Sequence, residues 1–326
     1  MRRRDFIALA AVLPAWQRAA AQQPSRIRRV AVLMPYSPSD AEVQTRVRAF
    51  REGLHSHGWS TGDNVQFDER WTTDNMDLIR VAAANLLELK PDAIVTIGRT
   101  LATLMSMTST VPIIIAGGAD PASRGGIESL ARPGGNVTGF SSIEASVFGK
   151  MLQTLKEIAP SISRVAVIAH FDNPAGESSV RSLESFAKPL GIDQLNFRFR
   201  DIADMEQAIA TLAAHPNGGV LFPPDVSLSK LIDQTVALLQ RYRVPAIYSD
   251  RSLVRRGGLV YYGADRVDIF RRAASYVDRV LRGERVGNLP YQLPTKYELV
   301  INSRAAKSLG LEIPSRLLFT ADEVIE

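Results

Sequence analysis

Short apolar runs alternate with amphipathic helical stretches along most of this chain. Residues 29–34 (RVAVLM) have the length and composition of a buried strand, and residues 43–57 carry apolar side chains at helical spacing. The alternation continues and predicts strands at 65–71, 93–97 and 112–116 and helices at 76–89 and 100–107. Short strands separated by helices are typical of a parallel sheet with helices on both faces.

The alternation starts again in the second half of the chain. Residues 164–169 (RVAVIA) closely repeat the first strand. The pattern there predicts strands at 164–169, 194–199, 218–222 and 245–248 and helices at 148–158, 176–190, 203–214 and 227–242. Since a domain usually has about 100–200 residues, we expect the 326 residues to form two Rossmann-like α/β lobes of similar plan.

A glycine-rich stretch separates the two series of elements. Residues 133–136 (PGGN) interrupt the pattern near the middle of the chain, and their glycines permit the backbone rotations of a hinge. We therefore expect the chain to leave the first lobe here. A second interpretation, in which Gly134 ends a helix as its C-cap, is compatible with the first.

Two further connections follow and complete a three-crossover hinge. Residues 257–265 (GGLVYYGAD) contain a strand that ends in Gly263 and leads into a helix at 269–281, and residues 289–299 precede a last helix at 303–309. We therefore expect a two-lobed clamp. Lobe 1 is predicted to contain residues 29–138 plus 264–294, and lobe 2 residues 139–263 plus 295–326.

The first 21 residues are expected to form a cleaved export signal. Three arginines at positions 2–4 precede an apolar run, and alanines at 19–21 precede Gln22, which is the layout of such a signal. The apolar run is shorter than the roughly 20 residues that span a bilayer. Arg3 and Arg4 resemble a twin-arginine motif, although Arg2 stands where Ser or Thr is usual, so twin-arginine and general secretory export both stay open. A mature periplasmic chain would begin near Gln22.

Charge and cysteine content narrow the function further. Loss of residues 1–21 removes four arginines and one aspartate, so the net charge falls from +5 to +2 and gives no indication of nucleic-acid binding. The chain has no cysteine, which excludes disulfides, thiolate metal sites and a lipid-modified cysteine at the cleavage site. We expect a soluble protein without a lipid anchor.

Polar residues that follow the predicted strands are the candidates for a ligand site, because open parallel sheets bind ligands at the carboxyl ends of their strands. An arginine there can pair with a carboxylate, an aspartate can hold an ammonium group, and a hydroxyl at a helix N-terminus suits a carboxylate. The candidates are Tyr36, Ser37, Arg99, Thr100 and Asp120 in the first lobe, Asn173, Asp225, Asp250 and Arg251 in the second, and Asp265 at the second crossing. Loop Asp and Asn residues also serve as turn formers and N-caps, and this alternative stays open for each of them.

Sequence motifs for catalysis are missing. The chain has no G-x-G-x-x-G after its first strand, no P-loop and no G-x-S-x-G, so neither a nucleotide cofactor nor a serine nucleophile is indicated. His55 and His57 (GLHSHGW) read as a solvated helix end rather than metal ligands. We expect no cofactor, no metal and no enzymatic activity.

Four longer stretches of the sequence carry a family resemblance: SLARPGGNVTG (129–139), LKEIAPSISRVAVI (155–168), PAIYSDRSLVRRGGLVYYG (245–263) and LPTKYELVINSRAAKSLGLEIPSRLLFTADEVIE (293–326). They resemble the ABC-transporter substrate-binding protein family that includes tryptophan/tyrosine-type binding proteins. The resemblance implies a periplasmic binding protein fold of type I with three crossovers and no catalysis. It also implies a small-molecule ligand, such as an aromatic amino acid or a related small carboxylate. The implied partners are an inner-membrane permease and its cytoplasmic ATPase, and we expect a monomer.

Two other classes of protein use α/β lobes of this kind. A ligand-sensing regulator related to the lac repressor would need a helix-turn-helix ahead of the first lobe, where this chain has an export signal. An exported α/β enzyme would need a nucleophile or metal constellation, which the sequence does not offer. A ligand sensor or an exported enzyme remains the alternative to a transport protein.

Overall fold

The computed structural model describes residues 26–73, 75–118, 127–171 and 174–326, with residues 174–178 described as backbone only. Within these ranges the strands form two separate sheets. We call the first sheet and the helices packed on it lobe 1, and the second sheet with its helices lobe 2.

Lobe 1 is built on a parallel sheet with strand order β2-β1-β3-β4-β5. Its strands are β1 Arg28–Met34, β2 Val65–Trp71, β3 Ala93–Thr96, β4 Ile113–Ala116 and β5 Val137–Phe140, and the helices between them are α1 Ala41–Ser56, α2 Met76–Glu88 and α3 Thr100–Met107. A helix from much later in the chain, α9 Arg266–Leu281, packs against α1. The first sheet is therefore covered partly by a segment that returns from lobe 2.

Lobe 2 is built on a sheet with strand order β12-β11-β10-β9-β8-β6-β7, which is parallel except for the antiparallel pair β10 and β11. Its strands are β6 Arg164–His170, β7 Asp193–Phe199, β8 Gly218–Phe222, β9 Ala246–Tyr248, β10 Val260–Ala264, β11 Tyr297–Asn302 and β12 Glu323–Ile325. Its helices are α4 Ala145–Ile158, α5 Pro174–Ala187, α6 Ile202–Ala213, α7 Ile232–Arg241, α8 Arg251–Arg255, α10 Ser303–Leu309 and α11 Ser315–Thr320. The α/β fold with two lobes, expected from the sequence, is confirmed.

Apolar periodicity explains why these segments fold as they do. Val32 and Met34 of β1 are buried in the cluster beneath α1 and α9, while Ala31 and Leu33 of the same strand are buried beneath α2 and α3. A strand covered on both faces must be apolar at every position, which is why the run in β1 is continuous. Lobe 2 repeats this arrangement with two clusters of its own, one on each face of the sheet.

The hinge predicted at residues 133–136 is wrong. These residues precede β5, which pairs with β4 in the lobe 1 sheet, so the first crossing follows Phe140. The amide of Gly134 donates to the carbonyl of Gly287, and the Asn136 side-chain amide donates to the carbonyls of Thr108 and Val111. All of these groups belong to lobe 1. The C-cap interpretation is not supported either, because described residues 127–133 contain no helix.

Three connections link the lobes: residues 141–144 after β5, Asp265 between β10 and α9, and residues 289–296 before β11. The first and third run side by side. The Gln292 amide donates to the carbonyl of Gly139, and the Ser141 amide donates to the carbonyl of Gln292. The Tyr297 hydroxyl also donates to Glu144, at 2.8 Å, where both segments enter lobe 2. Hydrogen bonds thus hold the first and third connections together, so the hinge is not a single flexible loop.

Candidate ligand-binding cleft

The carboxyl ends of the strands in the two lobes face each other across a narrow interface. Val226, which follows β8 in lobe 2, packs against the apolar cluster of lobe 1, and Gly98 after β3 lies beside it. Next to this contact, Nη1 of Arg99 donates to Oγ of Ser227 across the interface at 3.5 Å. The lobes therefore meet at the edges where the sequence placed the candidate residues.

A cluster of buried charges lies at the hinge end of this interface. Arg266, the first residue of α9, donates from Nη1 to Oδ2 of Asp250 at 3.0 Å and from Nη2 to the carbonyl of Ser249 at 2.9 Å. The hydroxyl of Tyr36 also lies beside this guanidinium. Arg46 of α1 places Nη2 3.8 Å from the same Asp250 oxygen. The Asp250 carboxylate of lobe 2 thus serves as the counter-ion of both Arg266 and Arg46.

The pKa values in this cluster follow from its burial and its charges. Burial alone would raise the pKa of Asp250, but Arg266, Arg46 and the Ser252 hydroxyl outweigh it and hold this pKa at about 2. Burial would lower the pKa of Arg266, yet Asp250 and the neighbouring tyrosines raise it overall. The pKa of Tyr36 is raised, mainly by burial. At neutral pH the cluster therefore holds charged Asp250 and Arg266 beside neutral Tyr36.

Asp250 and the other aspartates at described strand ends have structural partners. Asp250 caps α8, since its Oδ1 accepts from the amide and the hydroxyl of Ser252 at 3.0 and 2.6 Å. Asp225 accepts from the amides of His170 and Ser227, and Asp265 caps α9 by accepting from the amide of Asp268. These bonds favour the turn-former and N-cap interpretation over a primary role in holding an ammonium group.

Thr100 does not offer its hydroxyl to the interface, contrary to the expectation from the sequence. The residue is fully buried at the start of α3, and its hydroxyl donates to the carbonyl of Ile97 at 2.7 Å and contacts the hydroxyl of Thr96. The hydroxyl is directed back toward the end of β3, because at the strand-to-helix turn it takes the place of a backbone amide as the hydrogen-bond donor to the carbonyl of Ile97.

Two further candidates are also engaged within the protein. Arg251 forms ion pairs with Glu298 and Glu323 in lobe 2, at 3.2 and 2.6 Å, so its guanidinium is not a free partner for a ligand carboxylate. Ser37 shares a hydrogen bond of 2.8 Å with the hydroxyl of Ser39, within the turn after β1. Asp120 and Asn173 lie outside the described residues.

Sequence reasoning missed the two arginines of the buried cluster. Arg46 lies on the apolar face of α1 with Val43, Val47 and Phe50, and is 2% exposed. A charged residue at a core position of an amphipathic helix requires a counter-ion, and this was the available signal. Arg266 directly follows the candidate Asp265 and had no comparable signal.

A small pocket beside Arg266 combines an apolar wall with polar groups. Ser142 and Ile143 of the first crossing, Phe148 and Met151 of α4, and Tyr262 of β10 all line it, as does Arg266. The ring of Tyr262 stacks on Tyr297, with ring centroids 6.0 Å apart. The pocket thus lies where the first and second crossings enter lobe 2.

Two features are absent from the described ranges, a membrane-spanning helix and a metal-binding cluster. No helix there is long and apolar enough to cross a bilayer. In the same ranges, no group of three or more His, Cys, Asp or Glu side chains is arranged to hold a metal ion.

Two lobes with parallel sheets, facing strand ends and three crossings define the fold of type I periplasmic binding proteins. The chain belongs to the ABC transporter substrate binding protein family, whose model matches residues 29–325. The family resemblance seen in the sequence is therefore confirmed, and the protein is a substrate-binding protein of the ABC transporter type.

Individual relatives agree with this assignment. The chain is 26% identical over 270 residues to a tyrosine-binding protein of Clostridioides difficile, covering 81% of this chain and 76% of the relative. A Streptococcus pneumoniae ABC domain solved in complex with L-Trp superposes with a TM-score of 0.84 at 22% identity, covering 91% of this chain and 99% of the other. A conserved domain protein of Vibrio cholerae gives a TM-score of 0.85 at 26% identity, covering 92% and 100%.

Proposed function

We propose that this protein captures a small solute, such as an aromatic amino acid or a related small carboxylate, between its lobes in the periplasm and delivers it to an ABC importer. The arrangement of the lobes carries the proposal, since the strand ends of two separate sheets face each other and three connections permit a hinge motion. The partners would be an inner-membrane permease and its ATPase, and the protein would act as a monomer without catalysis.

An aromatic ligand is the proposed substrate class. Phe148, Met151 and Tyr262 provide an apolar wall, and Ser142 of the first crossing provides a hydroxyl donor in the same pocket. This combination suits a ligand with one ring and one carboxylate. A tyrosine-binding relative and an L-Trp complex support the same class. Ser37 and Arg99 are proposed as further ligand contacts because they follow β1 and β3 on the side of the interface. Asp120 and Asn173 are proposed from the sequence alone, since they come shortly after the residues of β4 and β6.

Thermal-shift measurements test the ligand class. We expect L-tyrosine, L-tryptophan or L-phenylalanine to raise the midpoint of unfolding of the protein lacking residues 1–21, and aliphatic amino acids to have little effect. A ligand present at about 100 times its Kd adds about 2.7 kcal/mol to the free energy of unfolding. Equal shifts with aliphatic amino acids would exclude aromatic selectivity, and the absence of a shift with any amino acid or carboxylate would contradict the proposed function.

Cell fractionation tests the proposed localisation. We expect a periplasmic chain that begins near Gln22, and we expect the change of both Arg3 and Arg4 to Lys to retain the precursor in the cytoplasm if export uses the twin-arginine route. An Arg18→Lys variant is the matched control. Unchanged export of the Arg3/Arg4 variant would show that the general secretory route is used, and a chain that stays in the cytoplasm with its first 21 residues intact would contradict export.

A further inference from the structure

One ionic contact joins the lobes at a position outside the proposed ligand contacts. Glu42 in the first turn of α1 belongs to lobe 1, and Arg251 and Arg255 of α8 belong to lobe 2. Oε1 of Glu42 lies 2.8 Å from Nη1 of Arg255, and its Oε2 lies 3.7 Å from Nε of Arg251. Both carboxylate oxygens of Glu42 therefore face arginines of the opposite lobe.

Water reaches only one side of this contact. The side chain of Glu42 is 14% exposed and that of Arg255 is 47% exposed, so the carboxylate is shielded while its arginine partner is open to solvent. Glu42 and Arg251 also line one small pocket with Arg46 and Arg266, next to the buried charge cluster. The contact thus continues the cluster from the hinge toward the outside of the interface.

The two arginines keep partners within lobe 2. Arg251 pairs with Glu298 of β11, and both Arg251 and Arg255 pair with Glu323 of β12, at 2.6 and 3.2 Å. Separation of the lobes would therefore leave neither arginine without a carboxylate, and Glu42 would return to water at the start of α1. A contact of this kind can form and break repeatedly at low cost.

We propose that Glu42 and Arg255 form an electrostatic latch that stabilises the closed arrangement of the lobes and so sets ligand affinity from outside the ligand pocket. The inference rests on the clamp function proposed above. Both residues act as positioning residues, because they bias the open-to-closed equilibrium on which ligand affinity depends. The latch makes closure sensitive to ionic strength, since Arg255 is open to solvent and the screening length there falls from about 10 Å at 0.1 M salt to about 3 Å at 1 M.

A fluorescence experiment without ligand tests the latch directly. The chain has no cysteine, so Asn85→Cys on α2 of lobe 1 and Gln207→Cys on α6 of lobe 2, both at exposed positions, allow two dyes to report the distance between the lobes. We expect the fraction of closed molecules to fall as NaCl is raised. In Glu42→Gln we expect a low closed fraction with little salt dependence. Glu284→Gln, which removes a carboxylate paired with Arg279 inside lobe 1, is the matched control and should behave as the parent.

A ligand titration adds a second readout. With L-tyrosine or L-tryptophan as the probe, we expect Glu42→Gln and Arg255→Gln each to raise Kd about fivefold, which corresponds to about 1 kcal/mol. The double variant should bind no more weakly than Glu42→Gln alone, since Glu42→Gln already removes the contact between the lobes that Arg255→Gln breaks. Arg256→Gln, which breaks an ion pair with Asp233 inside lobe 2, is the control for the arginine change.

The outcomes separate the latch from the proposed function. Identical closed fractions in the parent and in Glu42→Gln at low salt would overturn the latch, and so would additive effects of the two variants on Kd. Failure of every amino acid and carboxylate to bind would contradict the proposed function, while the salt dependence of the unliganded protein would still decide whether the latch exists.

Discussion

Asp250→Ala should destabilise the protein by about 3–5 kcal/mol, the usual cost of removing one partner from a buried ion pair. The change leaves Arg266 and Arg46 without their shared carboxylate, and their side chains are 13% and 3% exposed. It also removes the N-cap of α8, because Asp250 accepts from both the amide and the hydroxyl of Ser252. Urea unfolding followed by circular dichroism would measure the loss.

The control is an aspartate in an exposed ion pair. Asp233 pairs with Arg256 on the surface of lobe 2, where both side chains are more than half exposed, so Asp233→Ala should change the free energy of unfolding by less than about 1 kcal/mol. If Asp250→Ala unfolds no more easily than Asp233→Ala, the buried cluster is not a determinant of stability. If Asp250→Ala instead weakened ligand binding without changing the free energy of unfolding, Asp250 would be a ligand contact.

The same carboxylate predicts a dependence of stability on pH. The folded-state pKa of Asp250 is about 2, below its ordinary value of 3.8. A lowered folded-state pKa contributes stability that is complete above the unfolded-state pKa and is lost as pH falls toward the folded-state pKa. We expect about 1–2 kcal/mol to disappear between about pH 5 and pH 2, after allowance for partial exposure of the side chain. Asp250→Asn should unfold with a smaller pH dependence over this interval.

The arrangement of strands and helices could be predicted because it depends on local apolar patterns. Val30 to Met34 are all buried, and the continuous run in the sequence signals a strand covered on both faces. The sequence has no comparable local pattern that shows which strands pair with each other. β5 is only four residues long and contains Gly139, so it was not distinguished from a flexible connection, and the first crossing was placed too early.

The candidate site could be located from the sequence but its contacts could not. Strand ends in two parallel sheets identify the interface, and Tyr36, Arg99 and Asp250 do lie there. Which charged side chains pair with each other depends on how the two lobes are positioned. Asp250 pairs with Arg266 of α9 and Arg46 of α1, which are 16 and 204 residues away from it in the chain. Loop aspartates with local amide partners look the same in a sequence as aspartates that bind ligands.

Gly139→Ala should be the most disruptive small substitution in lobe 1, with a loss of about 4 kcal/mol or more in the free energy of unfolding. Gly139 has φ +142°, and a Cβ there would lie 2.2 Å from the carbonyl oxygen of Ile115 in the neighbouring strand. That atom belongs to the backbone of β4, so β5 would have to move away. Because the carbonyl of Gly139 accepts from the amide of Gln292 in the third crossing, the movement would also disturb the hinge. Urea unfolding measures the stability, and the two-dye distance measures the hinge.

Gly283→Ala separates the two causes of the lost stability, which are backbone strain at a positive φ and the steric clash with β4. Gly283 also has a positive φ, +100°, but a Cβ there would meet no atom within 4 Å. Its replacement should therefore cost about 1–3 kcal/mol from backbone strain alone and leave the distance between the lobes unchanged. The difference between the two variants gives the contribution of the close approach between β4 and β5. Equal losses in both variants would show that backbone strain, rather than strand packing beside the first crossing, explains the need for glycine at position 139.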